Sequence, residues 1–237
     1  MSTADRERVM SDAELIRAWV GGWAVARAVT APVAVDGGYR LDVGLPGHRV
    51  RYVFFDPDRP AEVVRTRTEP GTWIKTLAPV ERVRPALTSA WTVGEPEYPM
   101  TGPLRRQSPA APAGYTIEVE TRDETTFGRL LAADGAVAAH GRIGVTGDTA
   151  VADQIHTDPA HRRRGLGSVV MTVLADAAAA RGARTGVLVA TAAGRELYRT
   201  LGWTQHGVLT AAWIPEQQTG TAEAAPEPPS AQPRAAR

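Results

Sequence analysis

The stretch from Ala150 to Ala180 constrains the fold more than any other. Residues 150–157 read as a strand, Asp158-Pro159-Ala160-His161 breaks it, and Arg162-Arg163-Arg164-Gly165-Leu166-Gly167-Ser168 follows. Residues 168–180 then form a strong helix, stopped by Gly182. A strand feeding a glycine-bearing loop at a helix start is a unit of α/β architecture. Its loop exposes backbone N–H groups at the positive end of the helix dipole, which attracts phosphate. Gly165 and Gly167 let the backbone approach an anion without a Cβ in the way. The three arginines add charge-assisted hydrogen bonds. From the residues alone, this segment is a pyrophosphate cradle.

Two common phosphate loops are excluded. A Walker loop needs Gly-Lys-Ser/Thr and a dinucleotide fingerprint needs G-x-G-x-x-G; neither is present. An arginine run by itself would read as a solvated patch or a weak nucleic-acid contact. Composition argues against the second: 27 Lys+Arg balance 26 Asp+Glu, for a net charge of +1. Lys75 is the only lysine, and there is no cysteine, which excludes a disulfide scaffold, a thiol nucleophile and a Cys-based zinc site. His140, His156 and His206 lack metal-ligand spacing, so no metal is expected. Trp19, Trp23, Trp73 and Trp91 read as packing rather than a ligand cage. A polar N-terminus and the absence of a bilayer-length apolar run point to a cytoplasmic protein without membrane or nucleic-acid partners; a homodimer is open.

Elsewhere the pattern is mixed strand and helix. Residues 1–10 are polar and expected to fray. Ser11 with Glu14 forms a capping box before a helix that carries Leu15, Ile16, Trp19, Val20 and Trp23 on one side. Strands are expected at 39–43, 49–55 and 72–77, with helices at 60–66 and 80–87. Pro96, Pro99, Pro103, Pro109 and Pro112, with Gly102 and Gly114, predict a linker without regular structure. The expected boundary lies near residue 104. It gives an N-terminal α/β domain over 1–103, a second domain over 104–215 and a disordered tail over 216–237. The second domain reads as a strand at 115–120, a hairpin of 127–132 and 136–145 turning at Asp134-Gly135, and strands at 150–157, 184–190 and 208–214. A short helix is expected at 194–201.

Arg-x-x-Gly-x-Gly in this setting resembles the acetyl-CoA loop, motif A, of the GNAT superfamily of N-acetyltransferases. Ile155-His156-Thr157-Asp158-Pro159 is similar to the strand end that precedes it. Downstream, Gly194-Arg195-Glu196-Leu197-Tyr198-Arg199-Thr200-Leu201-Gly202-Trp203 resembles motif B, with Trp203 where Phe is usual and Thr191 where Asn often stands. The resemblance covers roughly 114–214. It implies a mixed twisted sheet flanked by helices with splayed central strands. It also implies acetyl-CoA as cosubstrate and direct acetyl transfer to an amine, the acceptor being a small molecule such as a metabolite or antibiotic. By this match Ile155, His156 and Thr157 supply the pantetheine edge, and Arg162, Arg163, Arg164, Gly165, Leu166, Gly167 and Ser168 hold the pyrophosphate. Tyr198 would protonate the departing thiolate; Asp153, on the strand of Ile155 and two residues before it, is the candidate base, with Glu118 and Glu120 as others. The alternatives are a protein N-terminal or lysine acetyltransferase and a silent acetyl-CoA-binding module. Only residues 121–126 separate the first two strands of this half, where the family carries two helices. The acceptor-pocket wall is therefore expected from residues 11–103, which read as a degenerate GNAT-like unit without a phosphate loop.

Overall fold

The computed structural model describes residues 10–216. The expected frayed start and the expected disordered tail lie outside the described residues, apart from Met10 and Glu216.

The first helix, α1 (Asp12–Arg27), begins at the box read from the sequence. Glu14 N–H donates to Ser11 Oγ at 3.3 Å, and Ser11 N–H donates to Glu14 Oε2 at 2.9 Å. It ends at Ala28, whose φ of 52° is left-handed. The first half continues with β1 (Val33–Val35), β2 (Gly38–Leu45), β3 (His48–Phe54), α2 (Pro60–Thr66), β4 (Thr72–Thr76), α3 (Val80–Val83), β5 (Thr92–Val93) and β6 (Tyr98–Pro103). The second half holds β7 (Tyr115–Arg122), β8 (Thr125–Ala132), β9 (Val137–Thr146), β10 (Thr149–Thr157), α4 (Leu166–Ala180), β11 (Thr185–Ala190), α5 (Ala192–Thr200), β12 (Thr204–Gln205) and β13 (Thr210–Trp213).

Two sheets result. One runs β1-β2-β3-β4-β13-β5 and the other β12-β6-β11-β10-β9-β8-β7. The division between them does not follow the chain. β6 pairs antiparallel with β11 over its whole length, and β13, from the end of the second half, pairs antiparallel with β4. The expected boundary near residue 104 therefore does not separate the two sheets, because each half lends a strand to the other.

β6 also corrects the linker expectation, since Pro99 and Pro103 sit inside a ladder. Their placement obeys hydrogen-bond geometry. Pro99 C=O accepts from His206 N–H at 2.9 Å, whereas Leu104 N–H donates to Arg184 C=O at 2.8 Å. Backbone groups thus alternate sides. The positions lacking an N–H face the thin β12 side, where pairing covers only Thr101 and Met100, and Tyr98, Met100 and Gly102 face β11.

α1 is sandwiched between the sheets. Leu15, Ile16, Trp19, Val20 and Trp23 pack with Leu41, Val43 and Val53 of the first sheet and with Val151 and Val187 of the second. Each tryptophan buries on the order of 200 Å², worth about 5 kcal/mol against water. The approach to the second sheet is close: a Cβ on Gly144 would lie 2.6 Å from Gly22 O and 2.7 Å from Ala26 N. α4 covers the opposite face of that sheet through Leu166, Val170 and Leu174. Tyr52, Phe54, Ile74 and Trp91 form a third core on the outer face of the first sheet, with Val64 of α2 and Val83 of α3. Trp203 fits in the α4-side core because Gly102 and Gly186 make a slot for it, a Cβ on either falling 2.6 Å from the indole.

Candidate active site

The two halves share one topological unit, a parallel strand–helix–strand crossover: β3-α2-β4 in the first and β10-α4-β11 in the second. Their difference locates the site. β3 and β4 stay paired over five positions, Val50–Phe54 against Thr72–Thr76. β10 and β11 pair only at Thr149–Val151 against Thr185–Val187. Beyond Val151 the strands part, and β10 is bent by an irregularity between Asp153 and His156, where Gln154 takes a left-handed φ of 52°. Ala152–Thr157 thus turn an unpaired backbone edge into a gap, which polar groups of a ligand can satisfy.

At the end of that gap α4 begins. Val169 N–H is bonded to Gly165 C=O at 3.2 Å, and no side chain caps the helix. The N–H groups of the first turn are therefore free to hold an anion. Gly165 has a φ of 75°, which a side chain would oppose, and open space around its missing Cβ. At Gly167 a Cβ would crowd Leu197 of α5 at 3.1 Å, while buried Leu166 anchors the turn in the core. Arg162, Arg163 and Arg164 are all exposed around this turn. Arg162 Nε donates to Thr157 C=O at 3.2 Å, and Arg164 Nη1 donates to the Tyr115 hydroxyl at 2.9 Å, which also meets His161 Nδ1 at 3.0 Å. Arg163 carries a left-handed φ of 62°. The same place in the first half, 55–59, has no glycine, and its Asp56 and Asp58 are paired with Arg59 and Arg82, so it offers no comparable cradle.

The remaining expected residues divide. Ile155 is half-buried against the α4-side core, and His156 sits beside His140, ring centroids 5.5 Å apart. Ser168 C=O accepts from Thr172 Oγ1 at 2.9 Å. Thr191 is occupied as the cap of α5, accepting from Gly194 N–H at 3.1 Å. Tyr198, on α5 next to Leu197, is buried, and among the described residues none hydrogen-bonds its hydroxyl. Burial, reinforced by the charge of Asp153, raises its pKa from 10.0 to about 12, so the phenol keeps its proton at neutral pH.

Asp153 is not the free base expected. Arg27 grips both its oxygens, Nε to Oδ2 at 2.8 Å and Nη2 to Oδ1 at 3.1 Å, and Arg142 Nε lies 3.7 Å from Oδ2. Both carboxylate oxygens are thus taken up by guanidinium N–H groups, and the pair ties α1 to β10. Glu118 and Glu120 lie on β7, the far edge strand of the second sheet, away from the gap. No local signal marks Arg27, Tyr115 or the bend at Gln154, because each acts through a partner distant in sequence.

The profile of the Acetyltransferase (GNAT) family matches residues 81–203, just over half of the chain. The chain belongs to the GNAT family. The match starts ahead of β6, as the sheet order requires. No curated protein matches the chain in sequence. Among solved structures, a GCN5-related N-acetyltransferase from Kribbella flavida superposes with a TM-score of 0.57 at 16% identity, over 83% of this chain and 93% of its own. A GNAT-family protein from Novosphingobium aromaticivorans DSM 12444 gives 0.56 at 19%, over 86% and 99%. One from Sphaerobacter thermophilus gives 0.52 at 12%, over 76% and 78%. These likenesses show a GNAT fold that includes the first sheet, since the second domain alone could not supply such coverage.

Proposed function

We propose that this GNAT protein transfers an acetyl group from acetyl-CoA directly to a primary amine of a small molecule. The observation that carries the reading is the gap between β10 and β11 opening onto an uncapped, glycine-led helix start ringed by three arginines. The helix start and the arginines suit a pyrophosphate, and the unpaired β10 edge suits the amides of a pantetheine arm. A neutral amine attacks the thioester carbonyl, the oxyanion takes an N–H donor, the attacking nitrogen releases its proton to water, and collapse breaks the C–S bond to expel a thiolate. Tyr198 supplies the proton to the sulfur and regains one from solvent.

The acceptor side needs little from a dedicated base. Arg27, Arg51, Lys75 and Arg142 outnumber Asp153 and Glu97 around α1, and such surplus charge lowers the pKa of an incoming ammonium, favouring its neutral form. Cover by α1 and the first sheet on this face supports a small acceptor over a protein. The test is calorimetry with acetyl-CoA. Wild type binds it, and Gly165→Glu or Gly167→Glu abolishes binding by placing a carboxylate in the cradle. Unchanged affinity in both variants refutes the assignment.

A further inference from the structure

Arg51 on β3 is a buried guanidinium with no direct ion pair among the described residues; Glu97 and Asp153 act on it only from a distance. It is 8% exposed, and its one hydrogen bond among the described residues runs from Nε to His48 Nε2 at 3.1 Å. Every other cation around it has a carboxylate. Arg27 and Arg142 share Asp153, and Lys75 Nζ binds Glu97 Oε2. Four buried or half-buried cations against two carboxylates are costly to hold together, which suits the cluster to an anionic ligand. His48 cannot become a competing cation, because burial and the neighbouring Arg51, Lys75 and Arg27 charges hold its pKa near 2.

The position of Arg51 connects it to the gap. Its Cζ lies 4.3 Å from the Trp23 ring centroid. The Arg27 Cζ lies 5.0 Å from the same ring, and Arg27 holds Asp153, two residues past the last β11-paired position of β10. One indole thus separates Arg51 from the tie at the mouth of the gap. With Nε engaged by His48 and the guanidinium plane against Trp23, the Nη1/Nη2 end is the free side. That fork matches a planar carboxylate bidentately.

We propose that the acceptor is an amino acid, an amine whose carboxylate is bound by the Nη1/Nη2 end of the Arg51 guanidinium. This rests on the acetyltransferase reading, and it names the acceptor class of the same site. The carboxylate offsets the charge of Arg51, and the Trp23 indole lies between it and the Arg27–Asp153 tie. The cationic surround that receives the carboxylate also disfavours the ammonium form of the amine.

The experiment measures acetyl-CoA consumption with a panel of free α-, β- and ω-amino acids, each beside its carboxamide. It includes wild type, Arg51→Gln and Arg51→Lys, with acetyl-CoA affinity by calorimetry as the check on folding and cofactor binding. Expected is a preference of about 10–100-fold in kcat/KM for the carboxylate over its carboxamide, the range of a charge-assisted bidentate contact. Arg51→Gln erases that preference through KM, and Arg51→Lys keeps part of it. Equal or better turnover of carboxamides by wild type overturns the proposal, a result that needs no variant to fold. So does a preference that survives in Arg51→Gln. Acetyl-CoA binding without turnover of any free amino acid overturns the acceptor class and leaves the transferase reading standing. Absence of acetyl-CoA binding overturns both.

Discussion

His48 gives the sharpest test of the interior between the sheets. Its ring lies 5.0 Å from that of Trp73 and 6.3 Å from that of Trp23, and Nε2 accepts from Arg51. Desolvation first, then the Arg51, Lys75 and Arg27 charges, lower its pKa from 6.5 to about 2. The sign follows from linkage. Below the unfolded value of 6.5 the unfolded chain takes up a proton that the folded chain refuses. Stability from this group is therefore complete above that pH and falls as the solution is acidified towards about 2. At about pH 5 the loss depends on the unfolded pKa and not on the exact folded one, and it comes to about 2 kcal/mol relative to about pH 7.5. His48→Gln keeps an acceptor for Arg51 Nε but cannot titrate. Urea unfolding of both proteins at the two pH values cancels the contribution of the carboxylates they share. The variant is expected to lose about 2 kcal/mol less than wild type on acidification. Equal losses would mean that His48 protonates freely in the folded state, and that burial and the neighbouring cations do not hold its ring neutral.

Tyr198→Phe removes the hydroxyl and leaves the ring packed beside Trp203; kcat should fall by roughly 10²–10⁴ with acetyl-CoA affinity and melting temperature retained, and an unchanged kcat makes Tyr198 a packing residue. Gly144→Ala drives a methyl into the backbone of α1 and should cost at least about 1–3 kcal/mol in chemical denaturation, whereas a neutral effect would show that α1 docks more loosely than described. The isolated segment 104–215 lacks β6 and α1, and its β13 has no partner strand, so it should aggregate or fail to bind acetyl-CoA; a soluble, active fragment refutes the shared-sheet architecture.

The sequence was most legible where function or structure is local. Ser11 and Glu14 meet within one turn, Asp134-Gly135 closes its hairpin, and the cradle at Arg162–Ser168 is encoded by consecutive residues at a strand–helix junction. What stayed hidden is long-range. The apolar run at 208–214 marks a strand but cannot say which sheet it joins. The prolines of β6 look like breakers until the side that lacks a partner is known. Asp153 looked available as a base because nothing near it in the chain announces Arg27. In sequence Arg51 is one strand residue among many, and only burial without a direct ion pair sets it apart.

The exchange of β6 and β13 has a consequence for how the chain is made. β4 must wait for β13, whose Thr210 pairs with Thr76, so the first sheet cannot close until nearly the last described residue has left the ribosome. During synthesis the nascent first half carries an open strand edge and an α1 face whose second covering sheet does not yet exist. Such a chain is committed to finishing late and all together, with a dependence on chaperones in the interval. Once complete, it should unfold in a single transition despite having two sheets, because neither can be withdrawn without pulling a strand out of the other.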